Sequence, residues 1–322
     1  MSVPHRNPAP DPPATAAPAP VGEATARSRP EAAVPVARRG LRGRLGEALF
    51  RGVAGPDGPE SRRRVHGTPG PRWFGADRPI RVVHGDASMF AGGLAALLLQ
   101  SLHPLAMTAV ATHSGYRGDP WGRLARTSTF LAYTTYGAAD DAQRAVDGVR
   151  AVHERVRGTT AGGEAYHASD PHLLTWVHVA EAYCFLTAHQ RYGARPLDAA
   201  ARDGYVADMA RVAGALGVEE PPLSWQELTE RIAAYRPELR ATDEAREAVR
   251  YILFRPPLPA PVLPVYFVLG AAAVSLLPGW AREELRLPVL PGVERRCVAP
   301  AGSAVTGLIR WLLPPRPPAS RP

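Results

Sequence analysis

Cysteine is scarce in this sequence of 322 residues, which has only Cys184 and Cys297. Two cysteines exclude a scaffold held by several disulfides and a cysteine-rich zinc or iron–sulfur site. Aromatic residues make up only 7%, so no nucleic-acid surface of stacked rings is expected. The sequence also lacks Gly-x-Gly-x-x-Gly, Gly-x-x-x-x-Gly-Lys-Ser/Thr, Gly-x-Ser-x-Gly and His-Glu-x-x-His. These absences exclude the commonest nucleotide-binding, serine-hydrolase and zinc-protease sites.

Proline, in contrast, is abundant, with 35 residues where about 5% of the chain is usual. Nine prolines lie in the first 40 residues and five more lie between 314 and 322. Segments of alanine, proline and arginine bury too little apolar surface to offset their chain entropy. We therefore expect a disordered Pro- and Arg-rich lead-in over 1–78, one globular domain over 79–292, and a Pro-rich tail over 293–322.

The formal net charge is +8, and arginines of the lead-in and tails supply much of it. No nucleic-acid motif accompanies them, so we expect no nucleic-acid partner, whereas weak peripheral contact with acidic lipid suits a basic arm. The N-terminus has no apolar run of signal-peptide length, which favours the cytoplasm. The uncharged run 258–277 has three prolines in its first third, so we predict a buried helix there rather than a membrane span.

Between 79 and 290 the apolar residues recur with helical periodicity. An example is the valine series Val146, Val149, Val152 and Val156. Asp170-Pro171 and Ser224 are typical helix starts. Strand-like runs are few, and Ile80–His84 is the main candidate. The predicted fold class is mainly α: a single all-helical bundle domain between two disordered tails.

Histidines and arginines at helical spacing are the candidates for chemistry. Arg123, Arg126 and Thr127 share one helix face, either as a catalytic cluster or as a solvated basic surface. His178 lies in an apolar helix beside Trp176, where it is either a metal ligand or a core residue. Three histidines could alternatively form a non-haem iron site: His103, His113 and His178.

A second stripe consists of Arg150, His153 and Arg157, at positions i, i+3 and i+7. His153 borders the valine series, so its imidazole can lie at the edge of an apolar pocket between two cations. That arrangement suits a flat apolar cofactor with acidic edges, such as haem. The alternative interpretation is a histidine and two arginines on a domain surface.

Six short motifs in order resemble the all-helical oxygenase domain shared by the latex-clearing rubber oxygenases and the MpaB oxygenase. They are His84-Gly-Asp, Leu99-Gln-x-x-His-Pro, His113-Ser, Asp119-Pro-x-x-Arg-x-x-Arg-Thr, His153-x-x-Val-Arg-Gly, and the run Tyr166 to His178. The later Leu276-Leu-Pro-Gly-Trp, followed by Arg282, also fits this family. The resemblance covers residues 80 to 290.

The resemblance implies haem b, with His153 as the iron ligand and His178 as the alternative. It implies that Arg150 and Arg157 pair with the propionates. The distal cluster of the rubber oxygenases corresponds to Arg123, Arg126 and Thr127, although Arg126 stands where that family has Lys. A guanidinium stays protonated, so a role for this position as a base is not expected.

The implied reaction is oxidation of a small apolar substrate with dioxygen, at a C–H bond or by C=C cleavage. The alternative function is a non-catalytic helical interaction or membrane-surface module that retains the family scaffold, and the third is a non-haem iron oxidoreductase. The first interpretation predicts a coloured protein and the second a colourless one.

Overall fold

The computed structural model describes residues 40–114 and 118–313, and it is mainly α-helical, as predicted. The first helices are α1 (Leu41–Ala54), α2 (Gly58–Gly67), α3 (Pro79–Val83), α4 (Met89–Gln100), α5 (Pro104–His113), α6 (Pro120–Tyr136) and α7 (Ala139–His153). A small antiparallel pair follows, β1 (Arg157–Thr159) and β2 (Ala165–His167). Then come α8 (Pro171–Tyr192), α9 (Ala199–Leu216), α10 (Trp225–Tyr235), α11 (Asp243–Phe254), α12 (Leu263–Leu276), α13 (Gly279–Glu284), α14 (Pro291–Val293) and α15 (Ala299–Leu312).

The helix starts expected from sequence carry side-chain caps. The Asp170 carboxylate accepts the backbone N–H of His172 at 2.8 Å, and Pro171 occupies the first turn of α8. The Ser224 hydroxyl accepts the backbone N–H of Glu227 at 3.2 Å at the start of α10. Each cap satisfies a backbone donor that the helix leaves unpaired. These boundaries are therefore set by local chemistry.

The core centres on α8, which packs along α4. Trp176, Leu98 and Leu186 are fully buried there. The indole N–H of Trp176 donates to the Gln100 carbonyl at 3.1 Å, so its one polar group is satisfied. Gly92 allows the two helices to approach closely, because a Cβ at this position would lie 3.1 Å from that of Ala188.

The expected strand at Ile80–His84 is wrong, since α3 occupies this position. Pro79 fixes a helical φ at its first turn, and the backbone N–H of Ile80 donates to the buried Asp208 carboxylate at 3.2 Å. The apolar stretch that follows forms two helices rather than one, α4 and α5, bent by 108°. The bend falls where Pro104, which has no N–H to donate, starts α5.

Helices lie outside the predicted domain of 79–292 at both ends. Residues 40–67, assigned to the disordered lead-in, form α1 and α2, and α1 packs against α6 and α15. Residues 299–312, assigned to the tail, form α15, in which Thr306 and Ile309 are buried. Arg310 of α15 donates twice to the Asp86 carboxylate, at 2.9 Å each. The predicted disorder of 1–39 and 314–322 lies outside the described residues.

The predicted buried helix within 258–277 is confirmed as α12, preceded by a 3₁₀ turn at Ala260–Val262. Over the ranges that the structure describes, no helix by itself is long and apolar enough to cross a membrane. The bent pair α4–α5 passes that test of length and composition when its two helices are taken together.

Candidate functional site

A cavity of about 70 Å³ lies among α6, α7, α8 and α9. Among the described residues, four titratable side chains face it: His84, His153, His178 and Glu181. The rest of its wall is mostly apolar and includes Phe130, Leu131, Leu174, Val177, Met209 and Val212. The cavity thus combines few polar groups with an apolar lining, which is typical of small-molecule and cofactor sites.

Two imidazoles on this cavity have a buried nitrogen without a partner. His178, in the middle of α8, is 6% exposed, and its Nε2 accepts and donates no hydrogen bond among the described residues. His153, the last residue of α7, has a buried Nδ1 in the same condition. A native interior rarely leaves such atoms unpaired without a functional reason. Both are therefore candidate metal ligands.

Both histidines are held in the neutral form. Desolvation by the surrounding protein lowers the pKa of His178 to about 4. Desolvation also lowers the pKa of His153, and the nearby His167 lowers it further. At neutral pH each ring therefore has an unprotonated nitrogen, which is the form that binds a metal ion.

His84 faces the same cavity, but both of its ring nitrogens lie near hydroxyl groups of neighbouring residues. Its Nδ1 lies 2.8 Å from the Thr135 Oγ1, and its Nε2 lies 3.4 Å from the Tyr205 hydroxyl oxygen. Desolvation lowers the pKa of His84 to about 3. His84 is thus a neutral, fixed part of the wall rather than a free ligand.

Glu181 is the acidic residue of the cavity, and it was not among the residues predicted from sequence. It follows His178 by three positions on α8, so both side chains project from one helix face. Its carboxyl group makes no hydrogen bond or ion pair within the described part of the chain, and desolvation raises its pKa to about 7. In the sequence, only its position three residues after His178 could have identified Glu181 as a site residue.

The two arginines predicted beside His153 do not line the cavity. Arg150 is exposed, and its Nη1 donates to the carbonyl of Ala215 on α9 at 3.3 Å. Ala215 adjoins Leu216, which lines the cavity, so Arg150 lies at the rim. Arg157 is exposed at the start of β1.

The cluster on α6 also lies off the cavity wall, which α6 reaches only further along, at Phe130, Leu131 and Thr134. Arg123 donates to the Ser114 hydroxyl at 2.8 Å. Arg126 pairs with the exposed Asp119 carboxylate at 3.3 Å, and Thr127 is exposed.

The three-histidine metal site considered from sequence does not form. His113 Nε2 lies 3.1 Å from the Tyr166 hydroxyl oxygen, and His178 lines the cavity. His103 instead lies with His172 and Glu238. The physical reason is that His103 immediately precedes α5 and His113 ends it, so a helix about 15 Å long separates the two imidazoles.

Neutral, unpartnered imidazoles on an apolar cavity inside a helical domain are typical of cofactor- or metal-binding sites. Residues 81–312 match the family described as "ER-bound oxygenase mpaB/B'/Rubber oxygenase, catalytic domain". This match spans more than half of the chain and runs from α3 through α15, so the chain belongs to that family of oxygenase catalytic domains and is of the oxidoreductase class. No curated protein and no solved structure matches the chain significantly.

Proposed function

We propose that this chain is a haem b-dependent oxygenase that oxidises a small apolar organic substrate with dioxygen, at a C–H bond or by C=C cleavage. The observation that carries the proposal is the pair of buried, unpartnered nitrogens, His153 Nδ1 and His178 Nε2, on one apolar cavity. Membership of an oxygenase family supplies the reaction class.

The donor chemistry of the cavity suits a haem iron. His153 is the proposed ligand, since it lies in the Arg-x-x-His-x-x-x-Arg stretch that resembles the ligand motif of the rubber oxygenases, and His178 is the alternative. Haem b, when bound, supplies the activation of dioxygen. The protein contributes a neutral imidazole, apolar walls that exclude water, and a fixed orientation.

The volume of the cavity bears on how the cofactor enters. Its roughly 70 Å³ is below the ~300 Å³ of the smaller ligand pockets, and a tetrapyrrole is larger still. Entry of the cofactor therefore requires the helices around His153 to separate. Arg150 at the rim and the exposed Arg157 are the cations proposed for the propionates, and their exposure leaves them free to turn.

The remaining proposed roles concern the oxygen and the proton. The resemblance assigns the orientation of dioxygen to Arg123 and Thr127, with Arg126 as a fixed positive charge beside them. Because all three lie off the cavity wall, this role would require α6 to move when the helices separate. Glu181 holds a proton at a carboxyl oxygen that faces the cavity, and with a pKa of about 7 it can donate or accept that proton near neutrality.

A matched pair of variants tests the ligand. We expect His153→Ala to lose the Soret band and the pyridine haemochrome while its far-ultraviolet circular dichroism stays that of the wild type. His178→Ala should retain haem with a shifted spectrum. If His178→Ala alone loses haem, the ligand assignment is reversed; if neither variant changes the haem content, this cavity is not the haem site.

We also propose peripheral contact with acidic lipid through α1. Leu41 and Leu45 are exposed on this helix next to the exposed Arg42 and Arg44, and basic and apolar side chains together suit an anionic membrane surface. The protein should co-sediment with vesicles that contain acidic lipid and not with neutral vesicles. Leu41→Ser should weaken this binding. Vesicle binding by a protein that stays colourless after haemin loading would favour the non-catalytic alternative.

A further inference from the structure

A second group of metal-ligating side chains lies away from the cavity and consists of His103, His172 and Glu238. Their ligand atoms all lie within 4.8 Å of one another. The Glu238 Oε2 is 2.7 Å from the His172 Nε2 and 3.6 Å from the His103 Nε2. Ligand atoms around a tetrahedral zinc ion, each about 2.0–2.1 Å from the metal, are roughly 3.4 Å apart. The observed spacing is therefore close to that of a bound ion.

His103 provides a second, independent observation. It is only 3% exposed, and neither ring nitrogen has a hydrogen-bond partner in the part of the chain that the structure describes. A buried imidazole with both nitrogens unpaired loses its hydration without compensation. A metal ion bound at Nε2, on the side of Glu238, would satisfy that nitrogen.

Three segments that are distant in sequence build this group. His103 is the residue before α5, His172 lies in the first turn of α8, and Glu238 ends the 3₁₀ turn Arg236–Glu238. The Tyr235 hydroxyl donates to the His172 carbonyl at 2.8 Å, and the two rings lie 4.7 Å apart. Tyr235 thus packs against His172 and limits the orientations of its ring.

The group is exposed to solvent at His172 and Glu238 and packed against aromatic rings at His103. Trp176 and Tyr235 pack beside His103 on the inner side, with ring centroids 6.4 Å from its own. The side chains of His172 and Glu238 are about half exposed, at 52% and 45%. An ion held by all three would keep a coordination position open to water.

We propose that His103, His172 and Glu238 bind a divalent transition-metal ion of the zinc type, with two imidazoles and one carboxylate as ligands. None of the three lines the cavity, so this site is separate from the proposed haem site and does not depend on it. The ion would tie the starts of α5 and α8 to the turn after α10.

The test uses the full-length, tag-free protein, stripped with a chelator and dialysed before titration with Zn²⁺. We expect one equivalent of zinc by elemental analysis and a higher Tm in its presence. His172→Ala and Glu238→Gln change half-exposed side chains and should fold. Each should weaken zinc binding by more than roughly 10–100-fold, which is the cost of losing a residue that only hydrogen-bonds to a metal ligand. His103→Ala should do the same if it folds.

Matched controls are His66→Ala and Glu230→Gln, which alter exposed residues outside the group and should bind zinc like the wild type. Haem content, measured in the same samples, separates the two proposals: the cluster variants should keep it, and His153→Ala should keep zinc. A wild-type protein that binds no zinc, or cluster variants that bind it as the controls do, would overturn this inference.

Discussion

Glu181 shows how one side chain couples the site to stability. Desolvation raises its pKa to about 7, against about 4.3 in an unfolded chain. Between these values the folded protein binds more protons than the unfolded one, so stability falls as pH rises from about 4.3 and the loss is complete above about pH 7. A carboxylate is thus retained in the cavity at a cost in stability near neutrality.

Replacing Glu181 with Gln should remove that penalty. We expect Glu181→Gln to be more stable than the wild type by about 1–3 kcal/mol at pH 8 and nearly equal to it at pH 4.5. Urea unfolding at the two pH values measures this difference. The exposed Glu230→Gln serves as the control and should show no change between them. An equal effect of Glu181→Gln at both pH values would mean that protonation of Glu181 does not contribute to the pH dependence of stability.

Asp86 is the opposite case, a carboxylate stabilised by partners. Desolvation raises its pKa, but hydrogen bonds from Arg310 and from the backbone N–H of Ser88 outweigh this, so the pKa of Asp86 lies below its usual value. Its contribution to stability is therefore present above about pH 4 and is lost as the pH falls through the lowered pKa.

Arg310→Ala should consequently destabilise the protein by about 2 kcal/mol at pH 7. This is less than the ~3–5 kcal/mol for a fully buried pair, because the Arg310 side chain is 34% exposed. The difference from the wild type should shrink below pH 4, where Asp86 becomes protonated. Arg295→Ala, an exposed arginine of the turn before α15, is the control. Equal denaturation midpoints for Arg310→Ala and this control would contradict the pairing.

At the level of the helices, α4 and α8 pack closely against each other at Gly92 of α4. A Cβ at Gly92 would meet the backbone of Phe185 at 3.2 Å, whereas one at Gly93 would meet nothing within 4 Å. We expect Gly92→Val to cost about 1–3 kcal/mol through overpacking. Gly93→Ala should be neutral or stabilise by up to about 1 kcal/mol, since alanine favours the helix. Thermal unfolding of the two variants tests the packing; similar Tm values would refute it.

Some elements could be predicted because their signals are local. Asp170-Pro171 and Ser224 carry their own caps. The valine series was a weaker guide, since Val146 is fully buried but Val152 is 48% exposed. The helices α1 and α15 were missed for two reasons. The sequence of α1 has three glycines and three arginines among its 14 residues, and α15 lies directly before the proline-rich 314–322. In the structure the two helices pack on each other, α1 packs on α6, and α15 packs on α12. The bend at Pro104 likewise depends on where α5 can pack.

The candidate site was predictable only in part for the same reason. His153 and His178 could be named as candidate ligands from spacing and resemblance. That they share one cavity with His84 and Glu181 depends on the packing of α6, α7, α8 and α9, which no local pattern encodes. Arg123, Arg126 and Thr127 share the predicted helix face, yet that face lies beyond the part of α6 that reaches the cavity.

For the whole molecule, the proposed binding of haem in a cavity this small would couple cofactor binding to the packing of the surrounding helices. A haem that enters between helices and then fixes them should raise the unfolding free energy by about 2.7 kcal/mol at a free concentration 100 times its dissociation constant. Differential scanning calorimetry with and without haemin measures this gain. His153→Ala is the control and should gain little. A Tm that haemin leaves unchanged in the wild type would show that haem does not bind the folded state.

The absorption spectrum of the purified wild-type protein, produced with added haem precursor, is the clearest test of whether this chain binds haem b. We expect a Soret band and a pyridine haemochrome of haem b, at about one haem per chain. A colourless protein that stays colourless after haemin loading would contradict it, because the imidazoles on the cavity would then hold no porphyrin iron.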